Sequence, residues 1–235
     1  MATHTMAKTA AHKHTLMPQR SDERLARLIA QRVLPSYPSA TLLDVGCGDG
    51  IVSKNLPTDC IYTGLDINDA CIYEQSHDNP SVRYLQAQQI PDLMKSEGPW
   101  DTILLLDVIE HTRDFTSLFD LALQHANERV IVSLPNELFF LDRLRMLMGH
   151  ELNAHSLDLI QRPEGFKHQF IINISKARKI LTEHAEKFEF ALHEEIFRPL
   201  ISKQRVFQAP LWALHKLSTD QAWSMGSIFV FERNK

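Results

Sequence analysis

The chain has 235 residues, 44% of them hydrophobic and 23% charged, which is enough for one core and makes a single domain the expectation. Its 25 Lys and Arg stand against 29 Asp and Glu, a formal charge of -4, so a chain-wide footprint for nucleic acid is not expected. No apolar run approaches the ~18 residues of a membrane span, and Cys47, Cys60 and Cys71 lack zinc-type pairing, which fits a reducing, cytoplasmic setting.

Residues 1–20 carry Lys8, Lys13, Arg20, His4, His12 and His14 but no acid. No continuous apolar core follows the charges, which argues against a secretory signal. A single arginine and the lack of an amphipathic stripe favour a flexible tail over a transit peptide. From Ser21 the pattern changes. Leu25, Leu28, Ile29 and Val33 recur at helical spacing, with Ser21 as cap and Asp22 and Glu23 in the first turn. Pro35 and Pro38 stop that helix.

Thr41 to Val45 reads as a buried strand running into Gly46-Cys47-Gly48-Asp49-Gly50, with a short helix expected around 51–56. Further strands are read at 60–65, ending at Asp66, at 82–85, ending near Gln86, at 102–106 and at 130–134. Helices are expected near 69–75 and on the face formed by Phe115, Leu118, Phe119, Leu121 and Ala122. This alternation predicts an α/β protein with a mostly parallel sheet and helices on both faces. Beyond it, 138–148 reads as an amphipathic helix, 175–187 as a helix, and 188–192 and 228–231 as strands. The apolar residues Leu138, Phe139, Phe140, Leu144 and Met146 to Met148 are read as core or lid packing. With no repeat and no linker, 21–235 is one domain, carrying an insertion around 137–170 that is read as a lid over an acceptor.

Three of the eight glycines lie between positions 46 and 50. Glycines at a strand-to-helix turn let backbone approach a ligand closely, although tight turns use them for packing too. Asp66 ends the next strand 20 residues after Gly46, where a carboxylate can accept the hydroxyls of a ribose. The spacing is G-x-G-x-G, with Ile51 where a dinucleotide fingerprint has its third glycine. Asp44 precedes the turn, where it would repel a pyrophosphate but suit a cation. The implied ligand is a nucleoside carrying positive charge.

Leu42-Leu43-Asp44-Val45-Gly46-Cys47-Gly48-Asp49-Gly50 resembles the first motif of class I S-adenosylmethionine-dependent methyltransferases. Gly64-Leu65-Asp66-Ile67 is similar to the family's ribose-binding motif. Asp101 to His111 resembles its fourth-strand motif, nearest to the ubiquinone-biosynthesis O-methyltransferases. Val130 to Asn136 looks like the fifth strand of small-molecule and glycan methyltransferases. The resemblance covers about residues 40–136.

It implies a Rossmann-like, seven-stranded sheet of order 3-2-1-4-5-7-6, with the last strand antiparallel. It also implies S-adenosyl-L-methionine as cofactor. By position, Asp44, Gly46 and Gly48 would hold the methionine end, Asp66 the ribose and Ile67 the adenine. Gln86 and Ala87 would lie beside the adenine amino group, and Asp107 beside the methionine moiety. Gln86 departs from the usual Asp, leaving an amide oxygen as acceptor. The Pro-Gly-Gly turn common before the fifth strand is replaced by Asn127-Glu128-Arg129.

Transfer to a hydroxyl needs a base. His111, just after the fourth strand, is the expected base, with Glu110 orienting it or lining the pocket; both residues could instead cap the next helix. His150, His155 and His168 are read as acceptor-binding residues of the insertion. Their spacing matches no helical ligand pair, so no metal is expected. The activity implied is methyl transfer to a small-molecule or glycan-type acceptor, on oxygen. The alternative is a cofactor-binding or regulatory subunit without turnover. The fourth strand also lacks the Asn/Asp-Pro-Pro-aromatic string common in methylation of bases.

Overall fold

The computed structural model describes residues 25–48, 50–56, 59–67, 81–86, 90–157, 159, 167–199 and 219–234. The tail at 1–20, the Ser21 cap, Asp49, the helix expected near 69–75, Cys71 and Ala87 lie outside them.

Seven strands form one sheet: β1 (Thr41–Val45), β2 (Ile61–Asp66), β3 (Val82–Gln86), β4 (Trp100–Leu106), β5 (Ala126–Pro135), β6 (Phe190–Pro199) and β7 (Ser224–Arg233). Their order is β3-β2-β1-β4-β5-β7-β6. β7 runs antiparallel to β5 and β6, and every other pairing is parallel. This is the Rossmann-like arrangement and strand order that the motifs imply.

Side chains alternate between two cores, as a pleated strand requires. Leu42, Leu104, Ile131 and Val230 pack on one face with Ile29 and Val33 of the leading helix α1 (25–33), whose Ile29–Val33 part has π geometry. Their neighbours Leu43, Ile103, Leu105, Val130, Val132, Phe229 and Phe231 pack on the other face. There they meet Phe119 of α3 (Ser117–His125) and Leu181 of α5 (Ile174–Glu186). Asn173 caps α5, its Oδ1 accepting from the Lys176 amide at 3.1 Å.

Three local readings change. The helix expected at 51–56 is a single 3-10 turn, Ser53–Asn55. An unread helix, α2 (Ile90–Glu97), precedes β4. Its Pro91 suggests a break in sequence, yet proline is tolerated in a first helical turn, where no amide partner is needed. The 138–148 helix is present as α4 (Phe140–Leu147), but it is not core packing. None of its residues is buried, and Leu147 is 84% exposed. It joins neither core; only Phe139 before it is buried, while Phe140 stacks on Trp223, from α6 (Asp220–Trp223), at 4.0 Å. Among the described residues no helix is long and apolar enough to cross a membrane.

Leu104 sits in the central strand with no exposure. Leu104→Ala should therefore lower unfolding free energy by about 2–5 kcal/mol, read as a lower urea midpoint with an unchanged slope.

Candidate active site

The parallel strands end along one edge of the sheet, and a cavity of about 490 Å³ opens there. In open α/β sheets this edge is where ligands bind, because the βα turns diverge above it. β1 ends in the glycine turn. Gly46 has φ +73, and a Cβ there would meet Val108 Cγ2 at 2.6 Å, so no other residue fits. The Gly46 and Cys47 amides both donate to the Leu65 carbonyl, at 2.7 and 3.0 Å, which ties the turn to β2. Gly48 differs. Its φ is +55, but a Cβ would meet no protein atom within 4 Å, leaving backbone that faces open space.

Asp44 lies beneath this turn, 1% exposed. Its Oδ2 accepts from the Tyr62 hydroxyl at 2.7 Å, while its Oδ1 is buried with no hydrogen-bond partner. Burial pushes its carboxyl up to about 7, against the Tyr62 hydrogen bond. A buried, half-satisfied carboxylate lining a cavity is the arrangement that an ammonium group completes.

Asp66 ends β2, and its Oδ2 accepts from the Gly48 amide at 2.9 Å. It stands at the turn, as a ribose partner must. Ile67 is 44% exposed beside it, a free apolar face suited to an adenine ring. Gln86 is exposed and donates from Nε2 to the Ile67 carbonyl at 3.4 Å. The three residues lie together at the open side of the turn, outside the lining of the deeper cavity.

β4 ends in a sharp reversal. Asp107 has φ +50, a left-handed conformation that Asp tolerates better than most residues, and the 3-10 turn Ile109–His111 follows. Asp107 is bound on both oxygens by Arg198 Nη1, at 2.7 and 2.8 Å, and accepts from the Ser133 hydroxyl at 2.7 Å. The reversal folds Glu110 and His111 back under the cavity. Glu110 is fully buried and neither carboxylate oxygen has a partner. Burial pushes its carboxyl well above the usual range, with Asp107 adding to the effect. His111 Nδ1 is likewise buried without a partner. Burial and the adjacent His168 hold His111 below its ordinary value, against hydrogen bonding with the Lys167 backbone.

The segment that follows β5 supplies the other wall. The His168 ring meets His111 edge-on at 4.6 Å. Glu137, just past β5, accepts at Oε2 from the Ile172 amide at 2.8 Å. Its Oε1 lies 2.9 Å from both His155 Nε2 and His168 Nδ1. Burial alone would raise the Glu137 carboxyl, but the hydrogen bonds from His168, Ile172 and His155 outweigh it and hold the group below its ordinary value.

Of the histidines expected to meet an acceptor, His155 and His168 join this group and His150 does not. His150 is exposed and absent from the cavity lining, because its amide closes the end of α4 on the Arg145 carbonyl at 2.9 Å. Glu137, Asp142 and Arg198 line the cavity without having been singled out in sequence. Glu137 follows directly on the fifth-strand string that ends at Asn136, which is the signal that could have found it. Arg198 stands in a stretch without a motif, and only strand pairing brings it to Asp107. A metal was not expected from spacing. Even so, Glu110, His111 and His168 place one ligand atom each within 4.8 Å of one another, as do Glu137, His155 and His168.

A family defined by a methyltransferase domain matches residues 17–176, more than half of the chain. The chain belongs to that family: it is a class I methyltransferase with S-adenosyl-L-methionine as its cofactor. No curated protein sequence matches it significantly. Its fold is shared by a SAM-dependent methyltransferase from Archaeoglobus fulgidus, with 15% identity, a TM-score of 0.59 and coverage of 90% of this chain and 94% of that one. It is shared too by magnesium protoporphyrin IX methyltransferase from Synechocystis PCC 6803, solved with SAH, at 18% identity, TM-score 0.53 and coverage of 92% and 83%. N-methyltransferase NodS from Bradyrhizobium japonicum WM9 is similar at 14% identity and TM-score 0.51, with coverage of 94% and 100%.

The Asp44 environment makes a pH prediction. Its folded value of about 7 exceeds the ordinary 3.8, so the native state keeps a proton that the unfolded chain has already lost. Stability of the cofactor-free protein should fall as pH rises from about 4 to 7, by up to about 4 kcal/mol, and level off above. Denaturant titrations of Asp44→Asn should lose most of that slope. Parental affinity for S-adenosylmethionine should rise over the upper part of the same window, since an ammonium needs the ionised carboxylate.

Proposed function

We propose that the chain methylates a hydroxyl of a small-molecule or glycan-type acceptor. The observation that carries this reading is the group of buried Glu110 with half-buried His111 and His168, facing the same cavity as Asp44. When bound, S-adenosylmethionine supplies a methyl group on a positively charged sulfur. The chain's residues divide the remaining work. Asp44 would receive the ammonium through Oδ1, while the Gly46 and Gly48 backbone cradles the methionine end. Asp66 would accept the ribose hydroxyls, Ile67 cover the adenine, and Gln86 and Ala87 border its amino group. Asp107, neutralised by Arg198, would flank the methionine moiety without adding a free charge.

Only an acceptor that must shed a proton needs basic groups at the reacting end. As the new oxygen–carbon bond forms and the sulfur–carbon bond breaks, the hydroxyl proton has to leave. His111 and Glu110 are the groups placed to promote that loss, with His168 held beside them by Glu137. A subunit that only bound the cofactor would keep Asp44 and Asp66 but would have no use for this second group.

Two measurements test the reading. Asp66→Ala should weaken S-adenosylmethionine binding by roughly 30-fold, equivalent to about 2 kcal/mol, in a calorimetric titration. His111→Ala should leave that affinity nearly intact and lower turnover by roughly 10²–10⁴-fold. The assay is transfer from methyl-labelled cofactor into fractionated metabolite and glycan extracts. Labelled product carrying the methyl on nitrogen or carbon would overturn the hydroxyl assignment, and equal turnover in mutant and parent would remove His111 from the reaction.

A further inference from the structure

Two overlapping clusters share His168, and they differ in whether their polar atoms are satisfied. In the cluster of Glu137, His155 and His168, each histidine already bonds the carboxylate at 2.9 Å, and the second oxygen holds the Ile172 amide. Nothing further is required there. In the cluster of Glu110, His111 and His168, the carboxylate is 0% exposed and both of its oxygens lack partners, as does the buried His111 Nδ1. Three unpartnered acceptor atoms beside this cavity cost stability unless something enters to be bound.

We propose that Glu110, His111 and His168 bind one divalent transition-metal ion. Two imidazole nitrogens and one carboxylate oxygen are a common donor set for such ions, leaving positions open for water or substrate. Ligands at ~2.1 Å from a tetrahedral centre lie ~3.4 Å apart, so donors within 4.8 Å need side-chain movements of about an ångström to close around it. Glu137 completes the arrangement as a positioning residue. By holding His168 through Nδ1, it leaves Nε2 as the nitrogen for the ion, the carboxylate–histidine–metal pattern that fixes a ligand's tautomer.

The ion also answers a charge imbalance. Among the described residues the cavity lining carries five carboxyl groups, Asp44, Asp107, Glu110, Glu137 and Asp142, against one guanidinium, Arg198. Arg198 is committed to Asp107, and the cofactor's ammonium would answer Asp44. A dication answers Glu110 at the reacting end. Resting on the hydroxyl reading above, this assigns the group's action to coordination: an acceptor oxygen on the ion would give up its proton to water more readily.

The test uses the full chain, stripped with chelator and titrated separately with Zn²⁺, Mn²⁺ and Co²⁺ by calorimetry. Visible absorption of the Co²⁺ form reports the ligand field. One ion per chain is expected. Glu110→Gln and His168→Ala should each weaken binding by more than 100-fold, and Glu137→Gln by roughly 10- to 100-fold. S-adenosylmethionine affinity, measured in parallel, shows that each variant is folded; if Glu110→Gln fails that check, His168→Ala carries the test. His150→Ala and the joint replacement of His4, His12 and His14 by Ala should leave the Co²⁺ spectrum unchanged. Binding that persists unchanged in Glu110→Gln and His168→Ala, or no binding at all, would overturn the proposal. Full methyl transfer in the presence of chelator would also overturn it while leaving the methyltransferase reading intact.

Discussion

The molecule depends on one unsatisfied charge site at the centre of its sheet. Asp44 occupies a strand flanked on both sides, opposite Gly64 of β2 and Leu104 of β4, where apolar residues would be cheaper. One oxygen is bound by Tyr62 and the other has no hydrogen-bond partner. Burial answers this by raising the carboxyl to about 7, so that Asp44 holds its proton more tightly than an exposed aspartate does. The glycine turn lies above it. Gly46 is required by its contact with Val108, while Gly48 faces open space, so one turn both locks β1 to β2 and leaves backbone exposed at the cavity.

A second constraint sits one strand away. The left-handed Asp107 turns the chain back at the end of β4, and the salt link to Arg198 holds that reversal from β6. β6 reaches this edge because β7 enters between it and β5 in the antiparallel sense. The C-terminal third of the chain, weak in motifs, therefore fixes the geometry of the strongest motif region. Its strands also complete both cores, through Phe229 and Phe231 on one face and Ile228 and Val230 on the other.

The parts legible in sequence were those whose signal is local. Strand periodicity gave the sheet, and Asp44, Gly46, Gly48 and Asp66 announced themselves by their offsets from strand ends. Their placement at one edge follows directly from parallel topology. Glu137 and Arg198 were not legible, because their roles arise from contacts 31 and 91 residues away in sequence, with His168 and Asp107. The exposure of α4 was hidden for a related reason. An amphipathic pattern shows that a helix has an apolar side, and only the packed structure shows that none of its residues is buried. His150 misled by proximity: five residues from His155, it ends a helix while His155 enters the wall of the site.

The two ends of the cavity solve the same electrostatic problem in different ways. At the Asp44 end, a carboxyl group is half satisfied by one phenol, and its second oxygen has no hydrogen-bond partner. At the Glu110 end, no protein donor reaches the carboxylate, although Arg198 is close enough to influence it. Arg198 is withheld from Glu110 by its two bonds to Asp107. Turned toward Glu110, the guanidinium would instead pair that carboxyl and leave Asp107 with the Ser133 hydroxyl. Spending it on Asp107 keeps the β4 reversal rigid and leaves Glu110 and His111 unpaired, in a pocket whose far wall, His168 on Glu137, is already ordered. The bonds that hold Asp107 are thus what leave its neighbour Glu110 without a partner.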